Sequence, residues 1–367
     1  MEGRLRFPNE LWLEVCTYLP LDAVRSLSST DRSLYAIARP LSFTEFKLYL
    51  YPSEYNPPQE LLVDALARLA FYSSQEIAPL VRTCTTRQSY DSRRWPVCDS
   101  THGDHARGGG APHALMNAFF VRLPRFTGLQ RLYADRIRFT RAGLEALCAL
   151  PPLQHAEFDA CTFTTARGEQ ITSPDAATTT LRVANFVTRN ITDAVWLPLL
   201  CHDSLRALNI SDLLLLARPS VGPFPFVHTL TAIPCDLRIH DALTIFAKFP
   251  AMRVFITDYT GILRNLTPAQ ESEIFPLLEE YTGAAENLHI FTQRPTLAHI
   301  TIDAIVFSRL PAEFRDVALP LSNITSFTAQ FFIASAGEWV FGGAEMDAIF
   351  TWFPRLKKLE LTFYPDV

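Results

Sequence analysis

A six-residue apolar motif, recurring nine times, leaves this chain few ways to fold. Its form is apolar-x-x-apolar-x-apolar (or small), starting at Leu129, Leu153, Leu181, Leu205, Val227, Met252, Leu297, Ile324 and Leu356. Successive first positions lie 24, 28, 24, 22, 25, 45, 27 and 32 residues apart. Alternation at the end of each copy is the period of a strand with one buried face. Between copies, apolar residues at helical spacing predict helices over Ala114–Leu123, Arg141–Leu150, Ala194–Cys201, Ala242–Phe249 and Met346–Phe353. Leu123-Pro124, Leu150-Pro151, Phe249-Pro250, Leu319-Pro320 and Phe353-Pro354 punctuate the joins. Proline ends a helix because it clashes with the preceding turn and lacks a donor. One strand–helix unit cannot bury its own apolar face, whereas stacked neighbours can. The fold class is therefore α/β.

The interval of 45 residues contains TPAQESEIFPLLEEY, which predicts a longer helix ending in the solvated acids Glu279 and Glu280, and Leu288–Phe291, an extra irregular strand. Periods in the twenties with this motif resemble leucine-rich repeats, although the Asn or Cys of that family's pattern is largely missing. The resemblance implies a curved solenoid over residues 113–367. A compact α/β sheet domain whose elements only mimic a repeat is the alternative. The last copy, Leu359-Glu360-Leu361-Thr362-Phe363, lies four residues from the end. An uncapped stack exposes a strand edge, so neighbouring segments cap it or the natural chain is longer.

Residues 41–86 read as a connecting strand and helix. SFTEFKLYLY is strand-prone, Gln59–Tyr72 is an amphipathic helix with Leu62, Leu66 and Leu69 on one stripe, and Ile77–Thr86 supplies a short strand. Residues 87–112, with three consecutive glycines, read as a flexible, exposed insert. Cys84, Cys98, His102, His105 and His113 are the one dense group of metal-type ligands, but their spacing matches no common zinc finger. Arg87, Arg93, Arg94 and Arg107 with Trp95 could face an acidic partner or RNA, yet Asp91, Asp99 and Asp104 dilute their field. The simplest reading is a solvated insert with no metal.

Residues 1–40 predict three short helices. Pro8 stands where the first should begin, since a first turn leaves its N–H unused. Leu11, Val15, Tyr18 and Leu19 then repeat at helical spacing, and Trp12 and Cys16 extend the apolar arc to a second face. Pro20 stops this helix, Asp22 caps the second, and Thr30 or Asp31 caps a third that runs to Pro40. About 35 residues bury too little surface to be stable alone, so something else completes the packing.

Phe7-Pro8, Glu10-Leu11, Val15, the Tyr18-Leu19-Pro20-Leu21 run, Val24 and Leu27 resemble the F-box, the helical motif that binds the Skp adaptor of cullin–RING ubiquitin ligases. Similar arrangements open many fungal proteins. Two departures fall in the third helix: Thr30-Asp31 replaces an apolar residue plus Cys or Ser, and Tyr35 replaces a common Trp. The resemblance implies that Phe7, Pro8, Leu11, Val15, Leu19, Leu21 and Leu27 contact the adaptor, and through it the cullin. The repeats would hold an unknown protein target, with exposed Gln130, Arg131, Arg206 and Arg253 as candidate contacts. A repeat scaffold with no ligase link, its first helices serving as a cap, is the alternative.

The net charge of −5 gives no general attraction to nucleic acid. No run approaches a membrane span, and no secretory signal precedes the first helix. Seven scattered cysteines without a CxxC pair suit reduced thiols in the cytoplasm or nucleus. The sequons at Asn190, Asn209, Asn265 and Asn323 read as polar positions near strand ends. No phosphate-cradling glycine motif or nucleophile elbow occurs, and His202-Asp203-Ser204 is a turn rather than a triad. The expectation is a non-enzymatic adaptor without cofactor.

Overall fold

The structure, a computed structural model, describes residues 8–50, 59–88, 114–150, 152–164, 180–187, 199–200, 203–232, 239–257, 266–306, 310, 314, 317, 319–333 and 343–365. The chain divides into two compact units, 1–181 and 182–367.

Unit 1 opens with α1 (Asn9–Tyr18), α2 (Leu21–Ser28) and α3 (Arg32–Ser42). The carbonyl of Pro8 accepts the N–H groups of Leu11 and Trp12 at 3.1 and 3.2 Å. Asp31 caps α3, its carboxylate accepting the Ser33 N–H at 2.6 Å. Two expectations change. Asp22 lies inside the first turn of α2, behind Pro20 at the cap, and pairs with Arg25 at 3.4 Å. α3 continues through Pro40 to Ser42, although a proline there has no N–H to give the carbonyl four residues back; the Ser42 hydroxyl donates to the Ala38 carbonyl at 2.9 Å. Cys16, Val24 and Ala38 form the buried centre of the three helices, with Leu19, Leu27 and Leu41 packed against it.

Beyond α3, β1 (Glu45–Leu50), β2 (Thr83–Gln88), β3 (Arg131–Asp135) and β5 (His155–Asp159) pair in parallel in that order. Helices α4 (Gln59–Tyr72), α5 (Ala114–Arg122) and α6 (Arg141–Cys148) alternate with them. β1 and β2 thus belong to the same row as the first recognised copies. Their motifs, Phe43-x-x-Phe46-x-Leu48 and Val81-x-x-Cys84-x-Thr86, lie ahead of the insert. β4 (Arg138–Thr140) and β6 (Thr162–Thr164) make a second, two-stranded parallel sheet. Arg136 and Ala160 turn the chain between the sheets with φ of 57° and 48°. Cys161, two residues past β5, donates its thiol to the Ala134 carbonyl at 3.2 Å. It fills the Asn/Cys position of the motif begun at Leu153.

Among its described residues unit 2 holds eight parallel strands, each beside its successor: β7 (Val183–Val187), β8 (Ala207–Ile210), β9 (Thr229–Ala232), β10 (Val254–Thr257), β11 (Glu280–Gly283), β12 (His299–Val306), β13 (Ser326–Ile333) and β14 (Lys358–Pro365). The first positions of the copies at Leu205, Val227, Met252, Leu297 and Ile324 are fully buried. Leu356, Leu359, Leu361 and Phe363 of the last copy are only half-buried, and no described strand pairs with the outer edge of β14.

The long interval holds a missed copy, not a long helix. Helix α8 (Pro268–Glu273) is short, and Leu278-x-x-Tyr281-x-Gly283 supplies β11. Glu279 and Glu280 stand at the start of that strand. Gly283 has φ 154°, and a Cβ there would collide with the Thr257 carbonyl oxygen, so glycine replaces the third apolar residue. Leu288–Phe291 is a helical turn (α9), not a strand. Asn209 is the penultimate residue of β8, near its end as expected, and Asn323, three residues before β13, donates its amide to the Arg294 and Leu297 carbonyls at 2.9 and 2.7 Å. The predicted helix over Ala194–Cys201 lies largely outside the described residues.

A backbone ladder joins the copies. In unit 2 the residue after each first apolar position donates its N–H, with the N–H that follows, to the same carbonyl of the preceding copy. Arg206 and Ala207 donate to Arg182, His228 and Thr229 to Arg206, and Arg253 and Val254 to His228, at 2.8–3.3 Å. The series continues through Glu279, Ala298, Thr325 and Lys357, and unit 1 repeats it through Thr44, Arg82, Gln130 and Gln154. Because main-chain groups make it, the ladder tolerates any side chain but proline at the donor positions.

Candidate functional site

The clearest unpartnered surface is one face of α1. Successive helical residues turn by about 100°, so Leu11, Val15 and Tyr18 share a stripe while Cys16 points to the other side. Cys16 is buried with Val24 and Ala38. The stripe is open: Leu11 is 44% exposed, Val15 47% and Tyr18 81%. With Trp12 and Glu14 these residues line an open groove of about 380 Å³. A monomer rarely leaves contiguous apolar surface uncovered without a partner for it. Of the predicted contacts, Pro8, Leu11 and Val15 are exposed; Leu19, Leu21 and Leu27 are half-buried, Leu19 and Leu27 against the three-helix centre. Phe7 lies outside the described residues.

The open faces of the strands form the second candidate surface. In unit 1 it is a charged, self-paired face. Arg87 contacts Asp135 at 2.7 Å, His155 and Glu157 approach to 3.7 Å, and the Tyr133 and His155 rings lie 5.3 Å apart. Gln130 is half-buried and Arg131 exposed at the start of β3. Arg206 and Arg253 are exposed in unit 2, one position before β8 and β10. Arg206 stacks over Phe226 at 4.7 Å and donates to the Asp203 and Leu205 carbonyls; Arg253 pairs with Glu279. The structure thus places Arg206 and Arg253 on one rim. Their alignment, with only β9 between them, was hidden in sequence, where they stand 47 residues apart.

The described residues hold no group of three or more His, Cys, Asp or Glu placed to bind a metal. Cys84, from the proposed ligand group, is buried in β2, while Cys98, His102, His105 and His113 lie outside the described residues. Burial pushes the Cys161 thiol up to about 12 and, with Glu145 adding to it, Cys148 up to about 11; burial also raises Cys84. These are packed, inert thiols. Iodoacetamide at pH 8 is therefore expected to leave all three unmodified in the native chain and to alkylate them in denaturant, read by mass spectrometry. The raised folded values also set a sign: stability is intact below the unfolded thiol value near 9 and falls as pH rises through it, because the unfolded chain then ionises first.

Among the described residues no helix is long and apolar enough to cross a membrane. Compared with protein-family models and with curated proteins, the chain matches none.

Proposed function

We propose that this chain is a target-recognition subunit of a cullin–RING ubiquitin ligase. In this reading α1 docks on the Skp adaptor through Leu11, Val15 and Tyr18, and the strands, stacked as an irregular leucine-rich-repeat-like solenoid, hold a protein target. The observation that carries it is the open apolar groove on α1. Helices serving only to cap the sheet would turn that stripe inward, and here the inward side is the one carrying Cys16. The strand order adds support, since every pairing among the described strands of each unit is parallel and joins neighbouring copies, the arrangement of a stacked repeat. Such a subunit performs no chemistry itself. It raises the concentration of a bound target beside the ubiquitin-charged enzyme.

Co-purification of the full chain with the Skp adaptor tests the proposal. A one-to-one complex by size exclusion is expected. A folded chain that elutes apart from the adaptor at ~10 µM each would favour the scaffold with no ligase link.

A further inference from the structure

The strand starts of unit 2 carry a basic row that the chain's overall charge conceals. The ladder places Arg182, Arg206, His228 and Arg253 on four consecutive strands, about 4.8 Å apart. All three arginines are exposed and His228 is half-buried. The open-face positions that follow are Val183, Ala207, Thr229 and Val254, then Asn185, Asn209, Thr231 and Ile256. None is acidic. The flanking acids are Asp203, in the turn before β8, Glu279, which pairs with Arg253, and Glu280, the β11 partner of Val254. On a chain of net charge −5, the three arginines at the starts of this uncharged face form a local positive field. Part of it is already set in place: Arg206 rests on Phe226, and the ring nitrogen Nδ1 of His228 lies 3.1 Å from the Ala251 carbonyl.

We propose that this rim, from Arg182 to Arg253, binds an Asp/Glu-rich segment of the protein target, laid across the starts of β7–β10. The inference rests on the reading of the strands as the target-holding surface and is independent of adaptor docking. Charge complementarity selects the occupant. The three guanidinium groups sit on separate strands, β7, β8 and β10, instead of converging on a point, which suits single carboxylates spaced along a chain better than one dianionic phosphate. Among the described residues Phe226 is the one exposed aromatic side chain at this rim, too little for the serial stacking that single-stranded nucleic acid requires. Glu279 occupies Arg253 as an internal competitor that an acidic segment would displace.

The test is fluorescence anisotropy on the full chain with a labelled twelve-residue peptide alternating Glu or Asp with Ser. Comparison probes are its Gln/Asn counterpart, a singly phosphorylated neutral peptide and a twelve-nucleotide single-stranded RNA. The acidic peptide is expected to bind best, weakening about tenfold between 50 and 300 mM salt. Arg206→Glu with Arg253→Glu should weaken it by at least roughly tenfold, while Glu279→Gln should tighten it about twofold. The charge-reversed chain should keep its circular dichroism and its adaptor binding, and Leu11→Asp with Val15→Asp should keep peptide binding, so the two surfaces fail separately. Equal binding of the amide peptide, indifference to charge reversal in a folded chain, or tighter binding of the phosphopeptide or RNA overturns the proposal.

Discussion

Replacing Phe255 by alanine is expected to destabilise unit 2 by roughly 3–5 kcal/mol, the cost of an unfilled cavity in an aromatic core. Phe255 is 1% exposed on β10, and four rings surround it. Phe246 lies at 5.7 Å, Phe275 at 5.0 Å, Phe291 at 6.0 Å and Tyr281 at 6.3 Å between centroids. These rings come from α7 (Ile239–Phe246), the turn after α8, β11 and α9, so one truncation loosens two neighbouring copies together. Interiors of this kind relax only partly around a lost ring. A thermal melt should show the midpoint fall by about 10 °C. Phe350→Ala, at a site 52% exposed, serves as the control and should change stability by less than about 0.5 kcal/mol. Equal effects at the two positions would show that Phe255 is not part of a packed core.

Leu11→Asp combined with Val15→Asp should have the opposite profile: small on stability, large on binding. Both side chains are about half exposed, so the three-helix centre of Cys16, Val24 and Ala38 is untouched. At a docked interface each would instead bury an apolar side chain worth about 1.5–3 kcal/mol, and the new carboxylates would be desolvated. A loss of adaptor affinity of at least ~100-fold by calorimetric titration, with a melting midpoint within about 2 °C of wild type, is the expected result. A drop in midpoint comparable to that of Phe255→Ala would mean that α1 is held inward, as a cap is.

The sequence exposed the repeat because its signal is burial at fixed spacing, and spacing survives without any one residue being kept. It missed β11 because Gly283 removes the last apolar position and Glu279-Glu280 resembles a charged helix end. Leu288–Phe291 misled for another reason: four apolar residues fit a strand or a helical turn equally well until their neighbours are known. β1 and β2 were legible as strands but not as members of the row, since Phe43 and Val81 stand ahead of the glycine-rich insert. The two-sided apolar character of α1 was legible, and the structure assigns its sides, Cys16 inward and Leu11, Val15 and Tyr18 outward. The basic rim was only partly visible. Arg206 and Arg253 stood out individually, but a ladder of main-chain hydrogen bonds leaves no residue signature, so their alignment with Arg182 and His228 required the register.

Hydrogen exchange of the full chain with and without the Skp adaptor tests the central proposal most directly. Docking through α1 predicts slowed exchange across Asn9–Ser28, while amides of β7–β13 exchange at unchanged rates. Unchanged exchange in α1 at saturating adaptor, or protection confined to the strands, would contradict it.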